Sequence, residues 1–175
     1  MVTITIGGSP GSGKTTVAQL LQKKVGLPYV YSGDLFRKLA EQHGMSLADF
    51  GKYCETHREI DEELDRQQLE IIRNGNVIVE GRLSGWLAYR NHISALKILI
   101  QADLDTRAHR IVKREKGLVQ KQKQEICTRE KSESVRYKTY YHIDLADTSI
   151  YDLIIDSSKK TPEEIVDIIL EKLRR

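Results

Sequence analysis

Residues 8–15 carry the sequence GSPGSGKT, which matches the pattern G-x-x-x-x-G-K-[ST] at every fixed position. A β-branched run at 2–6 precedes it, and apolar residues follow it at helical spacing over 15–25. A strand, a glycine-rich turn and a helix in this order let backbone N–H groups and the positive end of the helix dipole converge on phosphate oxygens. This context favours a phosphate-binding loop over a glycine-rich turn with a surface lysine.

The loop predicts that the chain binds a nucleoside triphosphate. Lys14 supplies a compact positive charge for the β- and γ-phosphates, which also makes it a candidate catalytic residue, and the Thr15 hydroxyl is placed to bind Mg²⁺. The predicted triphosphate contacts are Gly8, Ser9, Pro10, Gly11, Ser12, Gly13, Lys14, Thr15 and Thr16.

The rest of the chain alternates short apolar runs with helical patterns. The predicted strands are 2–6, 29–31, 77–79, 96–100 and 153–155. The predicted helices are 15–25, 34–42, 47–54, 60–73, 105–116, 120–141 and a closing helix that begins near Pro162. This alternation predicts an α/β fold with a parallel sheet and right-handed crossovers. Residues 1–175 are expected to form a single domain with two helical excursions, at about 33–73 and about 110–140.

The composition is ordinary for a globular chain of 175 residues, with 39% hydrophobic and 30% charged residues. No apolar run approaches the length of a membrane span, and Met1–Ile6 lead into the loop without the features of a secretory signal. Cys54 and Cys127 have neither metal-site spacing nor the density of a disulfide framework. We therefore expect a cytoplasmic protein that has no membrane partner.

The net charge of +3 is mild, and acidic and basic residues are interspersed along the chain. A nucleic-acid-binding surface usually clusters basic residues with aromatic side chains, so we expect no nucleic-acid partner. We also expect a monomer that acts on a small molecule. The densest basic stretch, 107–136, is compatible with a solvated helical face and equally with a functional role.

A second anion site is predicted where two further strands end. Arg37 lies one turn into the helix that follows 29–31, and Arg82 follows the strand 77–79 directly. Gly81 permits close approach of a ligand, and the planar guanidinium group of arginine matches phosphate. Alternatively, Arg37 pairs with Asp34 and Arg82 is a surface residue, but two arginines at the carboxyl ends of two strands favour a phosphate site.

Six segments of the chain resemble one protein family. They are GSPGSGKTT at 8–16, YSGDLFR at 31–37, VIVEGRLSGW at 77–86, HRIVKREKG at 109–117, TREKSESVR at 128–136 and HIDLADTSIYDLIIDSS at 142–158. The chain resembles the nucleoside monophosphate kinases, and among them the compact archaeal-type cytidylate kinases. Many families share the loop, and several monophosphate kinases share YSGDLFR and VEGR. The segment IDLADTSIYDLIIDS, in contrast, is typical of cytidylate kinases of this type.

The resemblance implies a three-layer P-loop kinase fold, a five-stranded parallel sheet with helices on both faces, and two helical excursions that bind the acceptor and form a lid. It also implies transfer of the γ-phosphoryl group of ATP, with Mg²⁺, to CMP and dCMP. Glu80 would order a water on Mg²⁺, or alternatively hold backbone N–H groups. Ser32 would lie near the acceptor base, and Arg37 and Arg82 would hold the acceptor phosphate.

The resemblance assigns the basic stretch to the lid. Arg110 would lie against the adenine of ATP, and Arg114 would reach its phosphates. Arg129 and Arg136 would move onto the transferring phosphoryl group as the lid closes. The implied catalytic residues are therefore Lys14, Arg114, Arg129 and Arg136.

The chain departs from related families at the end of the third strand. Bacterial cytidylate kinases have an acid where this chain has Leu83, and adenylate kinases have Asp-Gly where it has Glu80-Gly81. The residues that contact the base therefore do not transfer from those families. Candidates on the predicted helix 60–73 are Asp61, Asp65, Arg66 and Gln68, although a charged helix face explains each of them as well.

Three other functions stay open at this point. The first is a kinase for another acceptor, such as AMP, UMP or shikimate. The second is a P-loop switch or nucleic-acid-dependent ATPase, which would usually carry a fuller acidic pair after the third strand than the single Glu80. The third is a nucleotide-binding module without catalysis.

Overall fold

The computed structural model describes residues 2–174, with all of their side chains except that of Leu35, so the predicted domain ends Met1 and Arg175 lie outside the described residues. The strands are β1 (Ile4–Gly8), β2 (Tyr29–Tyr31), β3 (Ile78–Glu80), β4 (Leu96–Gln101) and β5 (Leu153–Asp156). The helices are α1 (Lys14–Val25), α2 (Ser32–Gln42), α3 (Leu47–Cys54), α4 (Arg58–Asn74), α5 (Ser84–Arg90), α6 (Leu104–Glu115), α7 (Val119–Tyr141) and α8 (Pro162–Leu173).

The five strands form one parallel sheet in the order β2-β3-β1-β4-β5, which confirms the predicted fold class. β1 is central and pairs with β3 on one side and β4 on the other. Because all strands are parallel, the carboxyl ends of β1, β2 and β3 meet at one edge of the sheet. That edge brings the glycine-rich loop, the start of α2 and the segment Gly81–Arg82 together.

Apolar side chains cover both faces of the sheet. Ile4, Ile6 and Ile78 are fully buried on the face covered by α1 and α8. Val77 and Val79 alternate with Ile78 and pack on the opposite face, against α4 and α5. This alternation follows from the two-residue period of a strand, and it makes the three layers of the fold.

Sequence patterns placed most elements within two residues of their ends, but α5 was not predicted. It has only seven residues and includes Gly85, so it lacks enough turns for a clear apolar period. Its formation depends on packing, because Trp86 is buried against Tyr137 of α7 and against Ile143 and Ile150.

The two helical excursions lie over the carboxyl edge of the sheet and touch each other. α2, α3 and α4 enclose a small core around Phe50, and α6 packs on α7 through Ala108, Ile111 and Ile126. Tyr140 of α7 donates a hydrogen bond to the carbonyl oxygen of Cys54 at 2.7 Å. Within residues 2–174, no helix combines the length and the apolar character that crossing a bilayer requires.

Candidate active site

The glycine-rich loop has the backbone geometry that its sequence predicts. Gly11 and Gly13 have φ of 79° and 92°, a region that residues with a side chain rarely adopt. A Cβ atom at Gly11 would also lie 2.7 Å from the carbonyl oxygen of Arg107. Gly13 is the N-cap of α1, so the loop delivers its backbone to the positive end of that helix.

A buried carboxylate, Glu80, organises the first turn of α1. The Thr15 hydroxyl donates to Glu80 Oε1 at 2.7 Å, and Lys14 Nζ lies 3.7 Å from the same oxygen. The Tyr29 hydroxyl donates to the other oxygen, Oε2. Among residues 2–174, no backbone N–H group donates to the Glu80 side chain, so the alternative role of holding backbone amides finds no support.

Burial and charge set the state of these groups. Burial lowers the pKa of Lys14 to about 8, although the Glu80 carboxylate acts in the opposite direction. Lys14 therefore remains mostly protonated at neutral pH. Burial and the hydrogen bond to Glu80 raise the pKa of Tyr29, which keeps its hydroxyl a donor. The Thr15 hydroxyl and the Glu80 carboxylate supply the oxygen ligands that Mg²⁺ prefers, so these residues fit the predicted metal role.

Arg110 and Ser157 hydrogen-bond to the glycine-rich loop at Ser12. Arg110 Nη1 donates to the Ser12 carbonyl oxygen at 3.2 Å and to Ser157 Oγ at 2.9 Å, and Nη2 donates to the Ser157 carbonyl oxygen at 2.7 Å. Ser157 Oγ donates to the same Ser12 oxygen at 2.7 Å. The guanidinium predicted to lie against adenine is thus held between the loop and the end of β5.

Two cavities open at this edge of the sheet. The larger, about 580 Å³, is lined by residues 10–17 of the loop region and by Arg110, Arg114 and Arg129. The smaller, about 90 Å³, is lined by Ser32, Gly81 and Arg82 together with residues of α4 and α7. We call them the donor cavity and the acceptor cavity. Six residues line both cavities: Pro10, Lys14, Tyr31, Arg37, Leu47 and Arg129.

Two of the predicted site arginines, Arg82 and Arg136, form ion pairs with acidic side chains. Arg82, with 18% of its side chain exposed, pairs with Glu133, so the surface alternative for it is wrong. Arg136 is 2% exposed and donates to both oxygens of Asp61, at 2.6 and 2.7 Å. It lines the acceptor cavity and not the donor cavity.

The remaining arginines are less constrained. Arg37 lies 3.4 Å from the Tyr31 hydroxyl, and within the described chain it forms no ion pair with Asp34. Arg129 has no acidic partner within ion-pair distance in residues 2–174. Arg114 is 59% exposed at the rim of the donor cavity and pairs with Glu115.

Three residues with clear roles were not identified from the sequence. Arg107 donates to the carbonyl oxygens of Ala102 and Pro10 and pairs with Glu130 at 2.8 Å, which ties α6, α7 and the loop together. Nothing local distinguishes it from its basic neighbours, and the same holds for Tyr29 among strand residues. Glu133 lies between Arg129 and Arg136 at spacings of four and three, and this helical spacing could have identified it.

Three of the four candidates for base contacts line the acceptor cavity, and the fourth is exposed on the surface. Asp61, Asp65 and Gln68 line the acceptor cavity, so a solvated charged face does not describe them. Arg66 is 69% exposed and pairs with Glu63, as that interpretation expects. Ser32 Oγ, Asp65 Oδ2 and Gln68 Oε1 are buried and have no hydrogen-bond partner among the described residues.

Comparisons with known proteins agree with this geometry. A sequence model of the cytidylate kinase-like family matches residues 3–159. The chain is 48% identical to a cytidylate kinase of Methanocaldococcus jannaschii, over 95% of this chain and 94% of that protein. It is 45% identical to a cytidylate kinase of Pyrococcus horikoshii, over 95% of this chain and 85% of that protein.

A solved structure supports the fold alone. The shikimate kinase of Bacteroides thetaiotaomicron superposes with a TM-score of 0.62 at 14% identity, over 99% of both chains. At such low identity the likeness concerns the arrangement of strands and helices and not the acceptor.

Proposed function

Because the chain belongs to the cytidylate kinase-like family, we propose that it transfers the γ-phosphoryl group of ATP to CMP, and also to dCMP, with formation of ADP. The observation that carries this proposal is the wall shared by the two cavities. Lys14, Arg37 and Arg129 line both of them, so three cations stand where a donor phosphate and an acceptor phosphate would meet.

The donor half of the reaction would use the glycine-rich loop. Its backbone N–H groups and Lys14 would bind the phosphates of ATP, and Arg110 and Arg114 would border the nucleotide. Thr15 and, through a water, Glu80 would hold Mg²⁺, which would neutralise phosphate charge. Phosphoryl transfer depends on in-line placement and charge stabilisation, so we assign no general base.

The acceptor half would use Arg37 and Arg82 to hold the phosphate of CMP. Arg82 is paired with Glu133, so an incoming phosphate would compete with that carboxylate for the same guanidinium. Arg129, with no acidic partner in the described chain, would be available for the moving phosphoryl group. A donor of this kind is typically worth about 3 kcal/mol of barrier.

The lid would comprise residues 110–140, with its hinge at the turn between α6 and α7. Gly117 in that turn has φ of 112°, and apart from its own chain neighbours no atom of residues 2–174 lies within 4 Å of the position its Cβ would occupy. Arg136 would reach the transferring group only after its pair with Asp61 opens. Closure would exclude water and so limit hydrolysis of ATP.

We further propose that the enzyme acts as a cytoplasmic monomer without a nucleic-acid partner. The proposed reaction assigns no role to a residue of a second subunit, so it does not require an oligomer. Sedimentation with and without the two nucleotides tests the monomer.

An acceptor panel tests the reaction itself. ADP formation would be measured with ATP and each of CMP, dCMP, UMP, AMP and shikimate, and without acceptor. We expect the highest kcat/KM with CMP. Absence of turnover with CMP would overturn the proposal, and acceptor-independent hydrolysis stimulated by RNA would favour an ATPase instead.

A further inference from the structure

One face of α4 presents a row of polar side chains to the acceptor cavity. Asp61, Asp65 and Gln68 follow each other at spacings of four and three, so they lie on the same side of the helix. The carboxylate of Asp61 forms an ion pair with Arg136. Gln68 is 6% exposed, and neither its Oε1 nor Asp65 Oδ2 has a hydrogen-bond partner among the described residues.

Such buried oxygens are costly unless a ligand satisfies them. Most buried polar atoms in proteins have a hydrogen-bond partner. An atom without one has lost its hydrogen bonds to water, and no hydrogen bond within the protein replaces them. Gly81 lets Gln68 Oε1 and Ser32 Oγ lie close to its backbone, since a Cβ there would lie 2.5 Å from the first and 3.0 Å from the second. Asp65 and Gln68 thus line the acceptor cavity with oxygens that lack a partner among the described residues.

The other walls of the cavity suit a flat ring. Phe36, Leu64, Leu83 and Tyr137 supply aromatic and aliphatic surface. Apolar walls with a few convergent polar atoms are typical of sites that bind a base by stacking and by its Watson–Crick edge.

Hydrogen-bond polarity distinguishes the two pyrimidines. Cytosine offers an acceptor at N3 and a donor at its 4-amino group, whereas uracil offers a donor at N3 and an acceptor at O4. A neutral carboxyl group can donate to N3 of cytosine, and an amide oxygen can accept from the 4-amino group. Both contacts are reversed for uracil.

On the basis of the proposed function, we propose that Asp65, as a neutral carboxylic acid, and Gln68, through Oε1, select cytosine by binding its N3 and 4-amino group. Asp65 donates its proton to N3, and Gln68 Oε1 accepts from the amino group. When Asp65 ionises, its carboxylate repels N3 of cytosine and accepts from N3–H of uracil.

The surroundings of Asp65 bring its pKa close to neutral pH, so its neutral form is well populated below about pH 7. Burial raises the pKa to about 7 and the Asp61 charge acts in the same direction, whereas the Tyr141 hydroxyl, which can donate to Asp65, and the Arg136 charge act against it. The titratable and charged groups that line the same cavity or act on Asp65 are Asp61 on α4, Arg129, Glu133, Arg136, Tyr137 and Tyr141 on α7, Arg37 on α2, Lys14 on α1, Tyr31 at the end of β2 and Arg82 after β3.

The ratio of kcat/KM for CMP to that for UMP, measured from pH 6 to pH 8.5, tests this proposal. The ratio cancels titration of Lys14 and of the acceptor phosphate, because both substrates share them. We expect it to fall about tenfold or more in the wild type, as Asp65 loses its proton above a pKa near 7. A wild-type ratio that does not change with pH would overturn the proposal without any variant.

Two variants sharpen the test. Asp65→Asn retains a donor and an acceptor but cannot ionise, so its ratio should stay high and independent of pH. Gln68→Leu should raise KM for CMP about tenfold, with a smaller effect on kcat. Glu70→Gln, an exposed position on the same helix, should behave as wild type.

Failure of this proposal differs from failure of the proposed function. If the wild type does not phosphorylate CMP at all, both are wrong. If it does, but Asp65→Asn keeps the wild-type pH dependence or Gln68→Leu weakens CMP and UMP equally, only the base-selecting role is wrong.

Discussion

The guanidinium of Arg136 and the carboxylate of Asp61 form a bidentate pair, at 2.6 and 2.7 Å, that joins α7 to α4 across 75 residues of sequence. Both side chains are at most 5% exposed. The pair therefore connects the two helical excursions that the proposed reaction requires to move relative to each other.

Removing one partner of this pair should destabilise the fold. Asp61→Asn leaves the Arg136 charge buried without a counter-ion, and we expect the free energy of unfolding to fall by about 3 kcal/mol or more. Urea denaturation measures this. Glu62→Gln, next to it but 49% exposed in a surface pair, should change stability by about 0.5 kcal/mol or less. Equal effects of the two substitutions would contradict the importance of the pair.

The lowered pKa of Lys14 should limit activity at high pH. Its pKa is about 8, so above that pH the free enzyme loses the cation that we propose binds the triphosphate. We expect kcat/KM for ATP to fall about tenfold per pH unit above about pH 8. Lys14→Met should reduce kcat by roughly 10²–10³-fold and remove this decline. Lys23→Met, exposed on the same helix, serves as the control and should keep the decline.

Gly11 should tolerate no side chain. Gly11→Ala combines a positive φ with a Cβ 2.7 Å from the Arg107 carbonyl oxygen. We expect it to raise KM for ATP at least about tenfold and to lower stability by about 2 kcal/mol. Gly26→Ala is the matched control, since Gly26 also has a positive φ, 70°, but open space around it. It should cost about 1 kcal/mol of stability and leave KM unchanged.

Tyr29 should position Glu80 without contacting a nucleotide. Tyr29→Phe removes a donor from a fully buried carboxylate, and we expect a loss of about 1–3 kcal/mol of stability. With one donor fewer, the Glu80 carboxylate should stabilise the protonated form of Lys14 more strongly and raise its pKa. The decline of kcat/KM for ATP at high pH should therefore move to higher pH. Tyr89→Phe, at a side chain that is 52% exposed, should change neither quantity. If Tyr29→Phe lowers stability but leaves the pH at which kcat/KM for ATP declines unchanged, Tyr29 has a purely structural role.

Local sequence patterns predict the phosphate loop, the five strands and most of the helices. These are local features, because a strand or helix shows its period within a few residues and the loop shows its pattern within eight. The same locality placed Arg37 and Arg82 at the carboxyl ends of two strands. The acceptor came from resemblance, since no local pattern encodes which base a cavity admits.

Which charges pair with each other within residues 2–174 follows from tertiary contacts, and no local pattern predicts it. Arg82 meets Glu133 across 51 residues, and Arg107 meets the loop across 97. The helix α5 and the role of Tyr29 likewise depend on contacts with distant segments. Contacts at such separations are set by how whole elements pack, and a window of sequence contains only one side of each of them.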